Sequence, residues 1–174
     1  PRRGSNTYGF YKSGWRGVLI DMEDDKVRAA KLARRRDMVV QAAVSDRVEN
    51  VDIYSPGDFS TNATIDVEAA AHHPEYRRLH QVKTETLTEI LERCDCPSQF
   101  DFLNIDCEGN DFRVLKGLAL DRYAPKVICI EIWESKQGLD GLMTSDIHQY
   151  LQAHEYELRS WAIFSAIYVR RASV

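Results

Sequence analysis

Four short runs, VLID (18–21), MVVQAAV (38–44), FDFLNID (100–106) and KVICIEIW (126–133), are apolar almost throughout. A strand with one wet face alternates polar and apolar side chains, so strands this apolar must be covered on both faces. Between them run segments of helical spacing. Val27, Ala30 and Leu32 fall within 24–36, Phe112, Leu115 and Leu118 follow the 100–106 run, and Ile147, Tyr150 and Leu151 lie within 145–154. Strands alternating with helices predict an α/β fold, a mostly parallel sheet clothed by helices.

Weaker strands are expected at VDIY (51–54) and HQVKT (80–84), and a short helix around 8–12 in an otherwise loop-like start. Thr86, with Glu89 three residues on, has the pattern of a capping box opening a helix. YELRSW and SAIYVRR alternate in polarity and are joined around 162–164, which predicts an antiparallel C-terminal hairpin. Residues 55–80, with Pro56, Gly57 and Pro74, show little periodicity and are expected to be irregular and functional. No repeat or linker is visible, so 1–174 is expected to be one domain.

The net charge of -4 argues against a nucleic-acid partner. The one dense basic cluster, Arg34, Arg35 and Arg36, closes a helical pattern, where cations suit the helix dipole in a solvated end. No run is long and apolar enough for a bilayer, and no signal peptide is visible, so neither a membrane nor export is expected. Cys94, Cys96, Cys107 and Cys129 form neither a disulfide framework nor a zinc pattern, which predicts a reducing, cytoplasmic setting. The chain starts at Pro1 without Met, so its beginning is expected not to be the native one.

Open α/β sheets bind ligands beyond the carboxyl ends of their strands. Asp21, Asp106 and Glu131, with Glu134 just after, stand at such ends. A carboxylate has two acceptor oxygens and matches a vicinal diol, so Asp21 suits a ribose; it equally suits the turn before a helix. Asp106, Glu108, Asn110 and Asp111 flank Gly109, either as helix-cap chemistry or as a ligand site. Asp106 reads as lying inside the apolar run, where a carboxylate needs a hydrogen bond, an ion pair or an amine-bearing ligand. No GxGxxG turn is present. Candidate bases are His72, His73, His80, Asp106, Glu131 and Glu134. A metal held by Asp106, Glu131 and a histidine is a lesser alternative; no spacing demands one. Tyr8, Phe10, Tyr11 and Trp15 read as packing rather than as a substrate platform.

The stretch DFLNIDCEGNDFRVLKGL (101–118) resembles the signature of FkbM-type methyltransferases: an apolar strand, Ile-Asp-x-Glu-Gly, then a helix ending Val-Leu-x-Gly. SNTYGFYKSGWRGVLID, VKTETLTEIL, KVICIEI and the tail DIHQYLQAHEYEL to AIYVRR resemble the family's other segments in order. The resemblance implies a Rossmann-like class I methyltransferase using S-adenosylmethionine, with the family's first strand and its Gly-rich turn absent from this chain. It implies Asp21, with Met22, at the ribose, Val44, Ser45 and Asp46 near the adenine, Asp106 toward the methionine part or the reacting centre, and Glu108 among the cofactor-binding residues. Asp106, His72 and His73 are the expected catalytic residues, with no metal. The expected reaction is O-methylation of a small-molecule hydroxyl, of sugar or polyketide type. Homo-oligomerisation is compatible with this reading. The alternatives are a non-catalytic Rossmann-like domain without a cofactor site and an NAD-dependent enzyme, the second disfavoured by the lack of GxGxxG.

Overall fold

The computed structural model describes residues 5–57 and 62–171. In chain order the elements are α1 (Tyr8–Lys12), β1 (Val18–Asp21), α2 (Asp24–Ala33), β2 (Met38–Gln41), β3 (Ala43–Ser45), β4 (Asn50–Ser55), α3 (Val67–Ala71), β5 (Arg77–Thr86) and α4 (Leu87–Arg93). They continue as β6 (Phe102–Ile105), α5 (Asp111–Lys116), β7 (Val127–Glu131), a 3₁₀ turn (Trp133–Gln137), α6 (Leu139–Thr144), α7 (Asp146–Ala153), β8 (Tyr156–Ala162) and β9 (Ser165–Arg170).

The strands form three sheets, so the fold is mixed α/β. β1 and β2 pair in parallel. β5 sits between β3, parallel to it, and β4, antiparallel. The third sheet has the order β6-β7-β9-β8, with β6 parallel to β7 and the C-terminal hairpin antiparallel beyond it. Its β7 is buried through Ile128, Cys129 and Ile130. The main core packs Ile128 and Ile130 with Leu87 and Leu91 of α4, Val114 and Leu115 of α5, Leu151 of α7 and Tyr168 of β9. Each such aliphatic side chain contributes about 1.5–3 kcal/mol by leaving water. α4 begins where the sequence places it: Thr86 Oγ1 accepts the Glu89 N–H at 3.2 Å, and Glu89 accepts the Thr86 N–H at 2.8 Å.

Four expectations need correction. The 38–44 run is two strands, because the chain leaves β1 at Ala42 and joins β5 one residue later. Residues 55–80 are less irregular than expected. Thr64 bridges Tyr54, α3 follows, and β5 begins at Arg77; its first half is exposed and polar, so it carries no apolar pattern. The 3₁₀ turn and α6 lie where no element is expected. The basic cluster is not all solvated. Arg34 is 4% exposed, and its guanidinium donates to Asp37 and to the Thr7 hydroxyl, each at 2.7 Å.

Gly117, the last residue of the Val-Leu-x-Gly pattern, has a steric reason. A Cβ there would collide with the carbonyl oxygen of Ser45 at the end of β3. The signature helix thus lies directly against the strand end that precedes Asp46.

Candidate functional site

The turn after β6 is organised by its own carboxylate. Asp111, buried at the start of α5, reaches back so that Oδ1 accepts the Cys107 N–H at 2.8 Å and Oδ2 accepts the Gly109 N–H at 3.1 Å. Asn110 makes no side-chain cap; its Nδ2 donates instead to the Val44 carbonyl at 2.7 Å and ties the turn to β3. Turn chemistry therefore accounts for Asp111 and Asn110 but not for Glu108.

Glu108 is held at φ 50°, a left-handed conformation that costs a side-chain-bearing residue about 1–2 kcal/mol. Two contacts hold it there. The Thr64 hydroxyl donates to the Glu108 carbonyl at 2.9 Å. Gly109, at φ 98°, lets α3 approach so closely that a Cβ on it would stand 3.0 Å from the Ala69 Cβ. Thr64 and α3 are thereby pinned over the turn.

The acidic strand ends gather around this turn. Burial pushes the Cys107 thiol far up, and the charges of Asp111, Asp106 and Asp21 add to that effect. Asp21 is exposed and accepts the Glu23 N–H at 3.0 Å. Asp106 is exposed just past the end of β6, so the expectation of a carboxylate inside the apolar run is corrected: water reaches it. Partial desolvation still pushes the carboxyls of Asp21 and Asp106 upward.

Beside the turn opens a cleft of about 370 Å³ lined by His73, Glu75, Tyr76, Glu108, Glu131, Trp133, Lys136 and Phe164, with Pro56 and Asn62. Glu108 is pushed up to about 7, first by desolvation and then by the charges of Glu131 and Asp106. Asp111 is likewise pushed up to about 7, first by burial, against the two N–H donors that favour its charge. Glu131 is raised by desolvation despite accepting the Trp133 indole N–H at 2.7 Å. Glu108 has no ion-pair partner among the described residues.

His73 lines the cleft, with Nδ1 3.3 Å from Glu75 Oε1 and its ring 5.3 Å from that of Tyr76. His72 lies outside the lining; its Nδ1 is 2.6 Å from the Glu68 carbonyl of its own helix. Asp46 is engaged elsewhere: Arg113 pairs with it at 2.9 Å and Lys116 at 3.5 Å. Desolvation there is outweighed by the Arg113 hydrogen bond and the two cations, so its carboxyl stays below the usual range. Ser45 is fully buried, and Met22 packs against the small core of Ile53, Ala63 and Ile65. Tyr76, Trp133, Lys136 and Phe164 were not expected as site residues. The Trp and Lys that follow ICIE at a strand's carboxyl end were the available signal.

Among the described residues no group of three or more His, Cys, Asp and Glu side chains is arranged to hold a metal ion. No helix among them is long and apolar enough to cross a membrane. A family model described as the methyltransferase FkbM domain matches residues 2–158. No curated protein and no solved structure matches the chain.

Proposed function

The chain belongs to the FkbM methyltransferase family, and from that premise we propose that it transfers a methyl group from S-adenosylmethionine to a hydroxyl of a small-molecule acceptor. The observation that carries this reading is Glu108: a cleft-lining carboxylate on a strained turn, with an affinity for protons near neutrality and no ion-pair partner among the described residues. A general base for a hydroxyl works best when its own pKa lies near the operating pH.

The residues present fit the donor in part. Asp21, exposed at the end of β1, suits the ribose diol, with Met22 and the Val44–Ser45 backbone on the adenine side. Asp106 and Asp111 surround the turn on which an ammonium group of the methionine part would rest. Asp46 is committed to Arg113 and Lys116 and is not offered to the donor. When bound, the donor supplies an electrophilic methyl group. Glu108 takes the hydroxyl proton, His73 and Tyr76 orient the acceptor from the opposite wall, and Trp133 and Phe164 exclude water. His72 and Asp106 act, on this reading, through position rather than by proton transfer.

Two of the three sheets, β1-β2 and β6-β7-β9-β8, read as parts of one Rossmann-like sheet. Among the described residues β1 pairs only with β2, and β6 only with β7. A further parallel strand between those two edges would join them in the order β2-β1-x-β6-β7-β9-β8. A second reading, a domain of this fold without donor binding, draws on the diversion of Asp46.

Calorimetric titration of S-adenosylmethionine into the protein and into Asp21→Ala separates the two readings. Saturable binding that weakens at least about tenfold on losing the ribose contact supports the enzyme. No binding to the wild type moves the assignment to the non-catalytic domain.

A further inference from the structure

The cleft already holds a cation. Lys136, exposed on the 3₁₀ turn after β7, has its Nζ 4.3 Å from the ring centroid of Trp133 and 5.1 Å from that of Phe164. Among the described residues it forms no ion pair, though its charge acts on Glu131. Two aromatic faces thus receive its charge, as ring quadrupoles do. Glu131 fixes one of those faces by accepting the Trp133 indole N–H at 2.7 Å. The backbone that carries the other ring is tied to the same strand end: the Phe164 carbonyl accepts the Ile132 N–H at 2.8 Å. The indole is held by its bond to Glu131, whereas the lysine has only its own flexible stem to move.

We propose that this cage is the recognition site for a cationic amine carried by the methyl acceptor next to its reacting hydroxyl, and that Lys136 keeps the place until the amine displaces it. The term "acceptor" rests on the methyltransferase reading; the cation site itself does not. Charge selects the class. The lining sets Glu75, Glu108 and Glu131 against Lys136 and a histidine. An anionic ligand would face the carboxylates, and like charges across a contact are costly. A neutral one would have to displace the Lys136 charge without offering the rings a charge in its place. A cation bound between Trp133 and Phe164 would carry a neighbouring hydroxyl toward Glu131 and Glu108, whose charges act on one another.

The test is calorimetric titration of the intact protein with choline, with its uncharged carbon isostere and with glycolate. These probes present a hydroxyl beside a cation, beside a neutral group of the same shape and beside an anion. Choline is expected to bind about tenfold or more tightly than the isostere, the size of a desolvated cation–π contact. Lys136→Met should tighten choline several-fold by removing the competitor. Trp133→Leu or Phe164→Leu should weaken it about tenfold, with circular dichroism confirming the fold. Equal binding of choline and its isostere overturns the proposal, as does weaker choline binding by Lys136→Met. Tighter glycolate binding that Lys136→Met abolishes reassigns the site to an anion, and no saturable choline binding also overturns it. S-adenosylmethionine titrated separately keeps the two readings apart. Choline binding without donor binding sinks the methyltransferase reading and leaves the cation site standing; donor binding without choline preference does the reverse.

Discussion

Two acidic groups flank α5, and they behave in opposite ways. On one side Asp46 and Glu49 meet Arg113, and Asp46 also meets Lys116; both carboxyls are held below their usual range. On the other side Glu108, Asp111 and Glu131 have no ion-pair partner among the described residues, Lys136 acts on Glu131 only as a minor opposing charge, and all three are pushed upward. The same residue types, within a few positions of one helix, are scaffold where a cation answers them and chemistry where none does. Natural cores rarely leave carboxylates half-buried and unanswered, because desolvation penalises the charged form. Where they persist beside a cleft, a ligand or a proton is the expected partner.

The sharpest break in the comparison is Glu108→Gln. With an acceptor that the wild type methylates, turnover should fall about 10²–10⁴-fold, while thermal stability holds or rises. Asp46→Asn, on the scaffold side, should leave turnover nearly unchanged. A stable Glu108→Gln protein with full turnover would remove Glu108 from the chemistry.

Next in size is Gly117→Ala. Its methyl would meet the Ser45 carbonyl, a backbone atom with no room to yield, and should cost about 3 kcal/mol of stability in urea unfolding. Arg113→Met is smaller: losing the partly exposed Asp46 pair should cost about 1 kcal/mol, with S-adenosylmethionine affinity unchanged.

The last break is the pH profile, and the two groups give it opposite signs. Glu108 and Asp111 have folded values near 7, above their ordinary 4.5 and 3.8. Between those limits the native state binds more protons than the unfolded one. Their contribution is therefore complete in acid and is lost as pH rises toward about 7. Asp46, whose folded value lies below 3.8, contributes above that pH and loses its contribution as pH falls through the folded value. The melting temperature should be higher at about pH 5 than at about pH 8, and Glu108→Gln should flatten that slope. A slope of the same steepness in Glu108→Gln would assign it to other groups.

What could be read from the sequence was local. The apolar runs, the Thr86–Glu89 box and the hairpin each state their structure within a few residues. The signature stretch likewise encodes its strand, turn and helix. β5 was legible only in part, because its outer half pairs while facing water and so has no reason to alternate. The cleft was the least legible. Tyr76, Glu108, Trp133 and Phe164 come from four separate connections, brought together by Thr64 on the Glu108 carbonyl and Ala69 on Gly109. No spacing along the chain announces such contacts. Asp106 shows the converse error: an apolar run suggested burial, but the strand ends one residue earlier, at Ile105.

The tip of the C-terminal hairpin has a kinetic consequence. Ile163 stands there at φ 56°, an unfavourable backbone for a β-branched residue. Its carbonyl accepts from the Ser135 hydroxyl at 2.6 Å and from the Trp161 indole at 2.8 Å, next to the Phe164–Ile132 bond. The tip and one wall of the cleft are therefore one cooperative piece. Fraying of the hairpin and loss of the Phe164 wall are a single event, whose free energy sets how often the pocket exists whole. Amide exchange at Ile132 would time that event directly, and a ligand seated against Phe164 would slow it in proportion to its occupancy.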